Sequence, residues 1–145
     1  MIMNEPITEF KDEYRFLSNF FHAPIKIGRH NVYPTNEHAF QALKCVNPDD
    51  HGQVMSAKTA AEAKKLGKQV IIKPNWNEIR NDVMFFINMV KYTTHQDLKQ
   101  RLLATGSREL IEGNWWKDIY WGVCEDVGEN HLGKILMRIR YIMGG

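Results

Sequence analysis

Cysteine is scarce in this chain: Cys45 and Cys124 stand far apart, and neither belongs to a CxxC pair. That spacing argues against a thiolate metal pair and predicts two free thiols. The six histidines fall into no HExxH or HxxxH spacing, and Glu37-His38 is not half of a zinc motif. No metal and no cofactor are therefore expected. Long apolar runs are missing, and the opening Met1-Ile2-Met3-Asn4-Glu5-Pro6 has neither a basic leader nor a hydrophobic stretch. The expectation is a soluble, intracellular and cytoplasmic protein without a membrane partner. Charge of one sign is lacking as well, since 19 Lys and Arg are offset by 17 Asp and Glu. The mild balance does not favour bulk attraction to nucleic acid, although local basic clusters can still hold phosphate. Internal repeats and low-complexity segments are absent from the sequence.

The 145 residues suffice for one domain, residues 1–145, with a core that needs no staples. The most informative stretch runs from Tyr33 to Lys44. Thr35 follows Pro34 as a plausible N-cap, and Glu37 falls in the first turn, where the helix dipole favours a carboxylate. Ala39, Phe40, Leu43 and Val46 are spaced to face a core, while Glu37, Gln41 and Lys44 share a neighbouring face. Taken alone, such a polar line reads first as a solvated surface and second as a site.

Around that helix the chain predicts a short strand at Ile7 to Phe10, a charged loop at Lys11 to Arg15, and a buried turn from Phe16 to Phe21 carrying Ser18-Asn19. A hairpin follows, with Ile25 to Ile27 paired to Val32-Tyr33 across a Gly28 turn. Asn47 to Gly52 reads as a loop, and Ser56 as the cap of a helix ending at Gly67 as its C′ residue, with Lys58 near its start. Asn75 with Glu78 resembles a capping box for a long helix whose apolar stripe is Trp76, Ile79, Val83, Phe86, Ile87 and Val90. Arg80, Met84 and Lys91 fall on an adjoining face, where the two cations are read as solvated. Thr94 with Asp97 starts another helix, Glu109 to Glu112 reads as a short strand, and a last helix buries Leu132, Ile135, Leu136 and Ile139. On that helix Lys134 and Arg140 ride outside, and Arg138 points outward or inward. Asp118 stands among Trp115, Trp116, Tyr120 and Trp121, a setting that bulky core rings alone do not explain.

These features suggest a pocket for a phosphorylated, aromatic ligand: carboxylates for a sugar-like centre, rings for a flat heterocycle, cations for phosphate. The ordered set of Phe16-Leu17-Ser18-Asn19-Phe20-Phe21, Glu37-His38-Ala39-Phe40-Gln41, Ala57-Lys58, Leu66-Gly67, Trp76 to Arg80, Lys91-Tyr92, Asp118 to Gly122 and Asn130 to Arg138 resembles the NADAR, or YbiA-like, family over nearly the whole chain. The resemblance implies an α+β, helix-rich single domain and N-glycosidase activity, on phosphoribosylated riboflavin-pathway intermediates or on ADP-ribosylated guanine in DNA or RNA. It further implies Glu37, Asp118 and Trp121 as the reactive centre, with Asn19, Lys58, Arg80 and Asn130 binding the ligand. The chain departs from the family at Leu66-Gly67-Lys68, where Gly-Arg is common, exchanging an arginine fork for a point charge. The loop from Asp49 to Val54 also looks short for the family. Two rivals remain at this stage: a non-catalytic ADP-ribose or nucleotide-binding module, which would not need both acids, and a nucleic-acid binder using Trp and Lys pairs.

Overall fold

A computed structural model describes residues 4–144, so residues 1–3, part of the stretch read above as lacking a leader, lie outside the described residues. The fold is α+β and helix-rich, with a single two-stranded sheet among the described residues. The chain forms two compact units: residues 19–94, and the residues up to Ser18 together with those from His95 onward. Among the described residues no helix is long and apolar enough to cross a membrane.

The unit of residues 19–94 begins with strands β1 (Ile25–Ile27) and β2 (Asn31–Tyr33), antiparallel with Ile25 opposite Tyr33. Gly28, at φ +76°, supplies the left-handed residue that this tight connection needs. The hairpin delivers the chain to α1 (Asn36–Leu43), whose N-cap Thr35 accepts the N–H of His38 as its sequence suggests. Helix α1 ends at Leu43, so Val46 lies beyond it and is exposed rather than buried.

The polar line of α1 is not a solvated face. Asn36 to Ala42 is buried all round, because α2 (Pro48–Met55), α3 (Ala60–Gly67), α4 (Trp76–Thr94) and β2 all pack on α1. Helix α2 corrects the expected loop. Asn47 accepts the N–H of Asp49, Pro48 takes the first turn, and two acids follow, which together make a helix start out of what reads as a break. Ser56 closes α2 instead of opening α3, and Thr59 is the cap of α3, accepting the N–H of Glu62.

Gly67 is the last residue of α3 rather than a left-handed C′ residue, and Lys68 caps the end. Its lack of a side chain serves close packing: a Cβ there would overlap the side-chain amide oxygen of Gln41. On α4 the buried stripe is rotated from the expected one and comprises Trp76, Met84, Ile87, Asn88, Lys91 and Tyr92. Phe86 is exposed, and Lys91, read as a solvated cation, is among the most buried side chains.

In the other unit, α5 (Gln96–Ala104) packs on α6 (His131–Gly144), and Leu98 and Leu102 of the first and Leu132, Leu136 and Ile139 of the second are buried. The α4 helix runs through Thr94, so His95 becomes the N-cap of α5, and the expected Thr94 start does not form. Residues Asp12–Leu17, where a charged loop to Arg15 and the start of a buried turn at Phe16 were expected, make a 3-10 helix that buries Phe16 and Leu17. The guanidinium of Arg101 lies 4.3 Å from the ring centre of that Phe16. Neither strand expected in this unit forms; Ile7 and Leu110 make an isolated parallel bridge instead. Ile135 is only half-buried, and its place on the core face of α6 is taken by Gly133. Arg138 is exposed, whereas Arg140, expected outside, is half-buried and donates to Thr105 Oγ1 at 2.9 Å and to the Arg108 carbonyl at 2.8 Å. Burial pulls the Arg140 guanidinium below its ordinary range.

Candidate active site

Glu37 stands in the first turn of α1, 8% exposed, with its N–H donated to the Asn19 carbonyl over 3.0 Å. Its Oε2 accepts from Nε2 of Gln41, one turn later on the same face, over 2.6 Å. The helix N-terminus and the side-chain N–H both favour the charged form of this carboxylate, while burial opposes it. Lys44, a further turn along, is half-buried; burial lowers its ammonium from the ordinary value, the charge of Glu37 opposes that shift, and Lys68 adds to it.

His38 is engaged at both ring nitrogens. Nε2 lies 2.9 Å from the Ala57 carbonyl and Nδ1 lies 2.8 Å from Thr35 Oγ1. A carbonyl only accepts, so Nε2 carries a proton; in the neutral ring Thr35 then donates its hydroxyl hydrogen to Nδ1 while accepting the His38 backbone N–H. The ring therefore ties the start of α1 to the turn before α3. It has no nitrogen left over for proton transfer.

Behind Glu37 lies a buried amide network. Asn36 Nδ2 donates to Asn19 Oδ1 at 3.2 Å and to Asn88 Oδ1 at 2.9 Å, while Asn88 donates to the Met84 carbonyl and Asn19 to Met84 Sδ. This network binds the residue beside Glu37 to the middle of α4. One turn beyond Asn88 stands Lys91, 1% exposed, with Nζ 5.7 Å from the ring centre of Phe21 and 5.2 Å from that of Tyr92. Burial pulls its ammonium down to about 7, so near neutral pH it exists both with and without its proton. Sequence reasoning missed it. Its signal was the spacing of Met84, Ile87, Asn88 and Lys91, a complete helical face that includes the lysine.

Of the other residues expected in this unit, Asn19 is buried within the amide network, Arg80 is half-buried on α4, and Lys58 is exposed just before the Thr59 cap. The Lys58 backbone N–H is donated to Glu62 Oε2 at 3.2 Å. Asn19 is therefore tied into the framework around Glu37, while Lys58 stands in solvent.

In the second unit, Asp118 is half-buried and its Oδ1 accepts the backbone N–H groups of both Tyr120, at 3.1 Å, and Trp121, at 2.9 Å. Its own N–H and carbonyl are clasped by the Asn114 amide at 3.0 and 2.9 Å. Among the described residues both hydrogen bonds to its carboxylate fall on Oδ1. The carbonyls of Ile119, Tyr120, Trp121 and Gly122 receive the N–H groups of Glu129, His131, Leu132 and Asn130, so this turn supplies partners for the start of α6.

Trp121 is half-buried and meets the Tyr120 ring edge-on at 4.9 Å. Asn130 adopts φ +54°, and its amide is used at both ends: Oδ1 accepts from Glu112 and Nδ2 donates to the Leu110 carbonyl. Asp118, Trp121 and Asn130 are thus brought together by one hydrogen-bonded turn. Trp115 and Trp116 project from the tip of the clasped loop, with Trp115 82% exposed.

Known proteins are similar to this chain over most of its length. The family profile of the NADAR domain matches residues 7–143. Riboflavin biosynthesis protein VVA0006 of Vibrio vulnificus is 36% identical over 144 residues, covering 96% of this chain but 39% of that longer protein. N-glycosidase YbiA of Shigella flexneri serotype 5b is 32% identical over 145 residues, covering 96% of this chain and 89% of that protein. The NMR structure of the Escherichia coli protein YbiA superposes with a TM-score of 0.86 at 30% identity, covering 97% of this chain and 86% of that one. With a profile match over residues 7–143 and an N-glycosidase relative 32% identical over 96% of this chain and 89% of its own length, the chain belongs to the NADAR domain family.

Proposed function

We propose that residues 1–145 act as one domain that hydrolyses the bond between ribose and a nitrogenous base in a phosphoribosylated intermediate of riboflavin biosynthesis. The reaction class follows from the family: the protein is a hydrolase acting on N-glycosyl bonds. The substrate class is supported by the name of the Vibrio vulnificus relative, a riboflavin biosynthesis protein. ADP-ribosylated guanine in a nucleic-acid strand is the other substrate to be tested. The two free buried thiols fit work in the cytoplasm.

The observation that carries the chemistry is a carboxylate, Glu37, buried at a helix start and held by an amide donor. Breaking a C1′ to nitrogen bond gathers positive charge on the ribose ring, and a fixed carboxylate stabilises that charge or activates the attacking water. In this reading Glu37 and Asp118 divide the two tasks of orienting water and holding the ribose hydroxyls, as paired acids do in glycoside hydrolysis. Trp121 lies against the base or shields the sugar. Asn19, Lys58, Arg80 and Asn130 complete the ligand contacts, Asn19 from the amide network beside Glu37, Asn130 from the turn that holds Asp118, and Lys58 and Arg80 by their charge.

The test is to incubate the protein in parallel with a phosphoribosylamino-uracil compound and with guanine-ADP-ribosylated DNA, following released ribose phosphate or ADP-ribose by mass spectrometry. Release of ribose phosphate from the first supports the proposal. Release of ADP-ribose from the second alone moves the substrate to modified nucleic acid, and binding without release from either points to a non-catalytic nucleotide-binding module.

A further inference from the structure

Gln41 holds its amide in one orientation, and that orientation has a consequence for Glu37. Its Nε2 reaches Glu37 Oε2 at 2.6 Å, at the short end for an N–H···O bond, as expected when the acceptor is charged. Both side chains are buried. The other end of the amide, Oε1, is buried without a hydrogen-bond partner and rests against Gly67, where a Cβ would overlap it and stand 2.7 Å from Gln41 Cδ. Turning the amide over would bring Oε1 against the Glu37 carboxylate, acceptor to acceptor, so the carboxylate itself fixes which way the amide points.

We infer that Gln41, seated against Gly67, is a positioning residue that holds the Glu37 carboxylate ionised and in one place for N-glycosyl hydrolysis; this rests on the reading of Glu37 as a catalytic group. The bond runs between i and i+4 on one helix, so α1 itself sets its length. Gly67 then adds the third point, because only a residue without a side chain lets α3 approach closely enough to keep the amide from swinging away. The charged groups on α1 and the helices packed against it are Lys44 on α1, Asp49, Asp50 and His51 on α2, Glu62, Lys64 and Lys65 on α3 with Lys68 at its end, and Glu78, Arg80, Asp82 and Lys91 on α4. The charge of Glu37 raises the Lys44 ammonium against the lowering by burial, so these two groups are electrostatically linked. A lysine on a flexible stem attracts the carboxylate without orienting it; the planar amide does both.

The experiment compares wild type with Gln41→Leu, Gln41→Glu and Gly67→Ala on whichever of the two substrates above is cleaved, recording kcat and KM against pH with a thermal melt for each variant. Gln41→Leu is expected to lower kcat at neutral pH by as much as about 100-fold, the scale on which small misplacements act, with KM little changed. Its acid limb moves to higher pH, because the ionised carboxylate has lost a donor, and Gln41→Glu moves it further through like charge. Gly67→Ala shifts the limb in the same direction by pushing the amide off its seat, and it reads the same contact from the other helix should Gln41→Leu fail to fold. In a Glu37→Gln background, Gln41→Leu adds nothing to the loss of kcat. Lower melting temperatures with an unmoved acid limb and an unchanged kcat overturn the inference and leave Gln41 a packing residue. If Glu37→Gln is itself fully active, the catalytic reading of Glu37 fails first and this inference falls with it.

Discussion

The Asp118 carboxylate accepts the backbone N–H of Trp121 over 2.9 Å through Oδ1, the same oxygen that holds the N–H of Tyr120. One acid thereby shapes the turn that presents the tryptophan, beside the catalytic part proposed for it. The two roles separate by substitution. Asp118→Asn keeps an acceptor at Oδ1 and should leave the melting temperature nearly unchanged while glycosidase activity falls at least about 100-fold, the lower end of what a positioned acid or base contributes. Asp118→Ala removes the acceptor too, and should cost about 1 to 2 kcal/mol of stability in addition. Thermal melts beside activity on the same preparations check both. Full activity in Asp118→Asn would confine Asp118 to its structural role.

His38 offers a spectroscopic prediction. Its bond to the Ala57 carbonyl requires a proton on Nε2, so nitrogen NMR of the neutral imidazole should show the Nε2–H tautomer, with Nδ1 accepting from Thr35. Thr35→Ala removes both the donor to Nδ1 and the cap of α1, and a loss of about 1 kcal/mol or somewhat more is expected from denaturant unfolding. The opposite tautomer would contradict the described geometry.

Lys91 predicts a particular dependence of stability on pH. Folding lowers its ammonium from 10.5 to about 7, so between those values the unfolded chain binds more protons than the folded one. Stability should therefore rise with pH across that window, by at most about 1.4 kcal/mol per unit from this group. Below about 7 the burden of the buried charge is carried in full. Lys91→Met removes the titration, and urea unfolding at a series of pH values should show this part of the slope flattened, with the largest gain on the acid side. An unchanged slope in Lys91→Met would mean that the amine does not titrate in the folded chain near neutral pH.

What the sequence disclosed divides along physical lines. The Thr35 cap, the Gly28 hairpin and the buried face of α6 at Leu132, Leu136 and Ile139 were legible because local chemistry decides them. The environment of Glu37 was not, since its burial comes from α2, α3, α4 and β2 closing around α1, and α2 itself was hidden in a Pro-Asp-Asp run that reads equally as a break. Lys91 was misjudged by residue type, as lysine is rarely buried, even though its spacing matched the inward face of α4. Gly67 was legible as important and misassigned in cause: a left-handed turn and a close helix contact both call for glycine, and only the packing distinguishes them. The candidate residues themselves came from the order of motifs. Their geometry shows how each is held, which residue types alone do not disclose.

The measurement that bears most directly on the whole account is single-turnover release of ribose phosphate from a phosphoribosylamino-uracil compound by wild type, Glu37→Gln and Asp118→Asn under one set of conditions. The account predicts cleavage by wild type and a loss of at least about 100-fold in each variant, with folded melts retained. Near-full turnover in both variants would contradict it, because the two carboxylates would then have no part in breaking the bond.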